Sequence, residues 1–237
     1  MTLSGAINFA AAAAGCAVTS GQLGQAGRAG SPSVTPLVSS DFKNGIYTIN
    51  GVSKTLGEVW TENADWGPYS PSVVVPGTGL TVTNPNVTSA GVLTAEAVTS
   101  VAGGFVAVMT YFTAGAGGCV ELDLSSLPSY APDLLFIARP GSDSDHPSVF
   151  GNTTTSDTTS SASGSHKVAF ILSPSLVAMS QDGHVVVQES GPFGGDATNM
   201  VGWWNQVKSG SESSIVEKIE FFSLFDYSAA DLPALSA

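Results

Sequence analysis

Along most of the chain, apolar residues gather in short runs that stop at Gly, Pro, Ser, Asn or Asp. Clear examples are FVAVMTYFT (105–113), CVELDLS (119–125), DLLFIARP (133–140), KVAFILS, SLVAMSQ, HVVVQES, MVGWWNQV and IVEKIEFFSLFD. Runs rich in β-branched and aromatic residues, bounded by turn formers, predict strands. Asn50-Gly51 in GIYTINGVSK and Asp182-Gly183 in SLVAMSQDGHVVVQ predict two-residue hairpins. KVAFILS, SLVAMSQ and HVVVQES then form a meander, and TGLTVTN supplies a further strand. Helical spacing is brief. Leu56, Val59 and Trp60 in TLGEVWTEN predict one or two turns, TAEAVTSVA predicts a short helix, and Ser228 caps another near the C-terminus. Residues 141–166 are polar and predict a long loop or an irregular sheet edge. No internal repeat of fixed period is present. About ten short strands without a long amphipathic helix predict an all-β sandwich or jelly roll and exclude a parallel α/β fold, whose strands alternate with helices.

Composition sharpens this picture. At 237 residues and 43% hydrophobic, the chain can bury a sizeable core, yet only 11% of its residues are charged. Its polar surface is therefore mostly Ser, Thr, Asn and Gly, as in extracellular and virion β-proteins. The net charge is -12, from 19 acids against 7 bases, and no two Lys or Arg residues are adjacent. Phosphate backbones are bound by clustered bases, so nucleic acid is excluded as a partner, and anionic lipid finds no support. Cys16 and Cys119 are compatible with a disulfide or with two buried thiols.

Residues 1–40 read differently. SGQLGQAGRAGSPSVTPLVSS has almost no large apolar side chain and cannot make a core of its own. It predicts an extended N-terminal arm that lies on a partner or a neighbouring subunit, with INFAAAAAG forming a short helix. INFAAAAAGCAV is preceded by no Lys or Arg, the first base being Arg28, so it is read as part of the mature chain and not as a signal peptide. It is also too short and too rich in Ala and Gly for a membrane span.

From Asp41 onward a family pattern emerges. Asp182, Gly183 and Gly202, followed by Ile219, Phe221, Leu224, Tyr227, Leu232 and Leu235 in KIEFFSLFDYSAADLPALS, resemble the C-terminal half of concanavalin A-like, laminin-G-like jelly rolls. DFKNGIYTINGVSKTLGEVWTENADWG with VPGTGLTV looks like the version of that fold found in tailed-phage and prophage virion proteins. The resemblance covers residues 41–237 and implies a lectin-like β-sandwich. The arm before Asp41 has no counterpart in that fold. Such extensions anchor a virion module to a head or tail.

Candidate chemistry is sparse. There is no nucleophile elbow, zinc-protease motif, paired C-x-x-C or complete phosphate loop. His146, His166 and His184 fall beside turns or strand starts, where exposed loop histidines are ordinary. Asp143, Asp145 and His146 in DSDH offer closely spaced ligands but fall short of a calcium-loop pattern. No cofactor is predicted, and calcium is the one metal with any candidate ligands. Glu121 and Asp123 are two apart on a predicted strand and share one face. Retaining glycosidases on the resembled fold carry E-x-D-x-x-E there, because two carboxyl groups must flank the glycosidic bond about 5 Å apart. Ser126 occupies the third position, so the second catalytic carboxylate is missing and no catalytic residue is predicted. Sugar binding needs aromatics that stack on a sugar's apolar face, and the candidates are Trp66, Tyr69, Trp203 and Trp204. Core or subunit packing is the ordinary use of such residues.

Three functions are compatible with these observations. The first is a non-enzymatic bacteriophage virion structural protein whose arm docks on other virion proteins and whose sandwich decorates the head or tail surface. The alternative is an extracellular or virion-borne adhesin that binds host polysaccharide. The third is a glycoside hydrolase, disfavoured by Ser126. Each fits a homo-oligomer.

Overall fold

Asn50 and Gly51 lie at φ 49° and 76°, and Asp182 and Gly183 at φ 48° and 80°. A tight two-residue hairpin requires left-handed φ at both central positions, which Asn, Asp and Gly adopt at least cost. Both predicted hairpins therefore close where the sequence places them. The structure is a computed structural model of the chain, and it describes residues 34–62, 73–81, 87–114, 119–125, 134–138, 148–150, 155–156, 164–173, 175–190, 200–207 and 213–237. All of these belong to one unit, Val34–Ala237.

The first hairpin follows β1 (Val38–Asp41) and joins β2 (Ile46–Ile49) to β3 (Val52–Lys54). Strand pairing thus begins at Val38, ahead of the boundary expected at Asp41. Next come α1 (Leu56–Val59), β4 (Trp60–Glu62), β5 (Val73–Val75), β6 (Gly79–Thr81), β7 (Val87–Leu93) and α2 (Ala95–Ser100). The long strands β8 (Phe105–Ala114) and β9 (Cys119–Ser125) precede β10 (Leu134–Ala138). The polar stretch expected as a long loop or an irregular edge contains β11 (Ser148–Phe150) and β12 (Thr155–Ser156), short strands at one edge of a sheet, and the start of β13 (Gly164–Leu172). The second hairpin joins β14 (Leu176–Gln181) to β15 (His184–Ser190), and β16 (Met200–Val207) and β17 (Ser213–Phe222) follow. A single 3-10 turn (Ala229–Asp231) leads into α3 (Leu232–Leu235).

Among the described residues the strands form two antiparallel sheets. One runs β15-β14-β13-β8-β17-β1-β2-β3, with the β5–β6 hairpin also on β17; the other runs β12-β11-β10-β9-β16-β7-β4. This is the all-β sandwich with few short helices that the sequence predicts. β17 organises the larger sheet. Its register shifts between Val216 and Lys218, so β6 pairs with Val216 on one side of the bulge and β1 with Lys218 on the other. Gly79 belongs at that junction. At φ 130°, a Cβ on this residue would meet the Val216 carbonyl oxygen at 2.6 Å, so only glycine allows the strands to approach there.

The core lies between the sheets and is aromatic. Phe42, Tyr47, Trp60, Phe105 and Phe221 are buried in it, and the Phe105 and Phe221 rings meet edge to face at 5.0 Å between centroids. A second apolar cluster covers the other face of the larger sheet. Val106, Val108, Ala169, Ile171, Ala178 and Phe222 pack there beneath Leu232, with Val34, Tyr227 and Leu235 at its margin. This explains why FVAVM and VAFIL read as unbroken apolar runs. Successive residues of β8 and β13 enter different cores, one between the sheets and one under the C-terminal segment.

Candidate functional face and adjoining pocket

β16 lies between β9 and β7 in the smaller sheet. Trp204 pairs with Glu121 on one side and Ala90 on the other; Gly202 pairs with Asp123 and Val92; Trp203 pairs with Leu122 and Gly91. The inner face is fixed by β4 and β7, where Trp60 pairs with Leu93 and both are buried in the core. Cross-strand partners share a face and successive residues alternate. Counting from Leu93, the register positions of Trp203 and Leu122 fall in core-side rows, and those of Trp204, Glu121 and Asp123 in rows on the opposite face. One aromatic and two carboxylate positions, from strands far apart in the sequence, are thus brought to one patch of one sheet face.

A cavity of about 240 Å³ opens beside this sheet, lined by Leu56, Gly57, Trp60, Thr61, Glu62, Leu80 and Gly91. Its walls come from both sheets, β4 and β7 on one side and β6 on the other, with α1 across one end. α1 is set by a capping box. The Thr55 backbone N–H donates to Glu58 Oε2 at 2.6 Å and the Thr55 hydroxyl at 2.8 Å. These bonds, the backbone one first, hold the Glu58 carboxyl below its ordinary value of 4.5, with Lys54 adding to the effect. The Trp60 indole N–H donates to Ser40 Oγ at 2.7 Å, which fixes the ring in the core wall. Glu62 pairs with Gly91, the residue that also pairs with Trp203, so the cavity adjoins the β16 rows. Glu62 and Gly57 were not among the sequence candidates. The T-x-x-E signature at Thr55–Glu58 marks the start of α1 in the sequence, but nothing local to TLGEVWTEN announces a cavity.

The most connected polar cluster among the described residues lies on the larger sheet, at the Asp182-Gly183 turn. Asp182 Oδ2 is 2.6 Å from His166 Nδ1, and Asp182 Oδ1 accepts the Lys167 backbone N–H at 2.9 Å. Gly183 N–H donates to Ser236 Oγ at 3.1 Å, and the Ser236 hydroxyl donates to Ser180 Oγ at 3.0 Å. The Tyr111 hydroxyl donates to Gln181 Oε1 at 2.9 Å. These bonds tie the hairpin to β13 through His166 and Lys167, to β8 through Tyr111 and to the C-terminal segment through Ser236. A His–Asp pair is present, but the Ser236 hydroxyl beside it is buried and committed to the hairpin, so the cluster is a fastening and not a catalytic triad.

Trp66, Tyr69, Asp143, Asp145, His146, Ser126 and Cys16 lie outside the described residues. Cys119 opens β9 opposite Gln206. His184 opens β15, and its carbonyl accepts the Ser180 hydroxyl at 2.8 Å. Among the described residues no group of three His, Cys, Asp or Glu side chains could hold a metal ion, and no helix is long and apolar enough to cross a membrane.

No protein-family model matches the chain, and no curated protein matches it. In structure it is similar to the carbohydrate recognition domain of Emp47p, with 15% identity and a TM-score of 0.51 over 82% of this chain and 99% of that one. It is also similar to a structure from work on members of the human gut microbiota that express endo-acting O-glycanases to initiate mucin breakdown, with 10% identity and a TM-score of 0.53 over 80% of this chain and 100% of that one. Likeness at these identities establishes the fold alone, a concanavalin A-like β-sandwich.

Proposed function

We propose that this chain is a non-enzymatic carbohydrate-binding module. The observation that carries the reading is the register that sets Trp204 beside Glu121, with Asp123 two positions along, in rows on the sheet face away from the core. An aromatic stacks on the C–H face of a sugar while neighbouring carboxylates accept its hydroxyls. The fold similarity to Emp47p's carbohydrate recognition domain supports the same assignment. Glycan on a host or extracellular surface is the corresponding target, and extracellular space or a virion surface the corresponding location.

The test is calorimetric titration of the full-length protein with oligosaccharides, together with Trp204→Ala and Glu121→Gln. The wild type binds one glycan class saturably. Trp204→Ala weakens binding about five- to tenfold, in keeping with loss of a stacking contact of about 1–1.5 kcal/mol, and Glu121→Gln weakens it less. Unchanged binding in both variants refutes the assignment of this patch. Release of new reducing ends, lost in Glu121→Gln, would overturn the non-enzymatic part, a reading to which the O-glycanase-associated neighbour gives some weight. Virion decoration, the sequence's first reading, depends on residues 1–40; the fold comparisons favour the glycan-binding alternative.

A further inference from the structure

The cavity beside β4 has a chemistry of its own. Trp60, Leu80 and Leu56 make its apolar wall, and Gly57 and Gly91 contribute no side chain to fill it. Among the described residues, the exposed side chain with hydrogen-bonding capacity in the Trp60 row is Glu62; Thr61, one position away on β4, belongs to the opposite row. The Glu62 carboxylate makes no hydrogen bond or ion pair among the described residues. The surrounding charge is negative. Lys54 Nζ is held by Glu96, 2.9 Å from Oε1 and 3.0 Å from Oε2, which neutralises that pair. Glu58 and Glu62 remain, and the Glu58 carboxylate is turned back on Thr55. Among the described residues, Glu62 is therefore the one uncommitted carboxylate at the opening.

We propose that this cavity binds a small ligand carrying a single ammonium group on an apolar body. The volume, about 240 Å³, equals the space of about eight liquid waters, which suits a benzylamine-sized molecule. The apolar body displaces water from the Trp60–Leu80 wall, and the ammonium reaches Glu62. A hexose fits the lining poorly, because burying several hydroxyls against this wall leaves most of them without partners. The site is thus distinct in ligand class from the β16 face, and it stands or falls independently of the carbohydrate reading.

The experiment uses the full chain, with benzylamine as the cationic probe and benzyl alcohol as its neutral counterpart, followed by saturation-transfer NMR and calorimetry at low salt. Benzylamine binds saturably, and about fivefold more tightly than benzyl alcohol, the upper end of what a solvent-exposed ion pair supplies. Glu62→Gln removes the preference while leaving benzyl alcohol binding unchanged, and salt near 1 M does the same by screening. Gly57→Leu fills the cavity and abolishes binding of both probes. An added Cβ at Gly57 meets nothing within 4 Å and its φ is not left-handed, so the plug enters without strain. Equal affinity for the two probes overturns the proposal, as does a preference that survives Glu62→Gln. Absence of saturable binding to the folded wild type overturns it as well.

Discussion

Ser236→Ala tests how the fold is fastened. Ser236 is fully buried and one residue from the last in the sequence. Its oxygen accepts the Gly183 N–H at 3.1 Å and its hydroxyl donates to Ser180 Oγ at 3.0 Å, across separations of 53 and 56 residues. Alanine removes both bonds. Ser180 keeps its own bond to the His184 carbonyl at 2.8 Å, so the larger loss falls on the Gly183 N–H, left without its acceptor. A typical net hydrogen bond contributes about 1 kcal/mol, and an orphaned partly buried donor costs about 1–3 kcal/mol. The expected loss is therefore about 2–3 kcal/mol, a large share of a marginal total. For a domain of this size that corresponds to a fall in Tm of about 4–12 °C. Urea unfolding followed by tryptophan fluorescence should show a lower midpoint with an unchanged slope, because the unfolded surface is the same. Amide exchange should show Gly183 losing protection selectively. A change under about 0.5 kcal/mol, or a Gly183 amide that exchanges as in the wild type, would refute the fastening.

Other perturbations probe separate parts of the structure. Leu232→Ala empties the centre of the cluster under the C-terminal segment, where Leu232 is 1% exposed; a loss of about 2–4 kcal/mol in urea unfolding is expected, and one below about 1 kcal/mol would mean the segment is loosely held. Gly79→Ala forces a Cβ to 2.6 Å from the Val216 carbonyl at φ 130°, so thermal unfolding should register about 2 kcal/mol or more of destabilisation. Glu58 has its folded pKa lowered from 4.5, so its contribution is present above that value and fades as pH falls through the lower, folded one. The acid limb of a stability–pH curve should accordingly be flatter in Glu58→Gln than in the wild type.

Local chemistry carried much of the fold. Asn50-Gly51 and Asp182-Gly183 name their own turns because few other pairs tolerate left-handed φ twice in succession. CVELDLS and MVGWWNQV form β9 and β16 with the predicted bounds, since short β-prone runs between breakers have little else to become. β7 was hard to read because VTSAGVL mixes small and polar residues and carries Gly91, a strand weakener; its place between β4 and β16 is a tertiary fact. β11 and β12 are short and lie among Ser and Thr, so their polarity masked the pairing of β11 with β10 and of β12 with β11. The site was legible only in parts. Glu121 and Trp204 were visible as residue types, but their meeting needed the β9–β16 register. Glu62 and Gly57 gave no signal, because a cavity is made by what several distant segments fail to fill.

The central claim, that this lectin-like sandwich binds carbohydrate, is tested most directly by the binding of labelled full-length protein to a panel of immobilised polysaccharides, with free oligosaccharide as competitor. The account predicts saturable binding to one glycan class that the free sugar displaces and that Trp204→Ala loses while its unfolding midpoint holds. A folded protein that binds none of the panel, or whose binding free sugar does not displace, would contradict it.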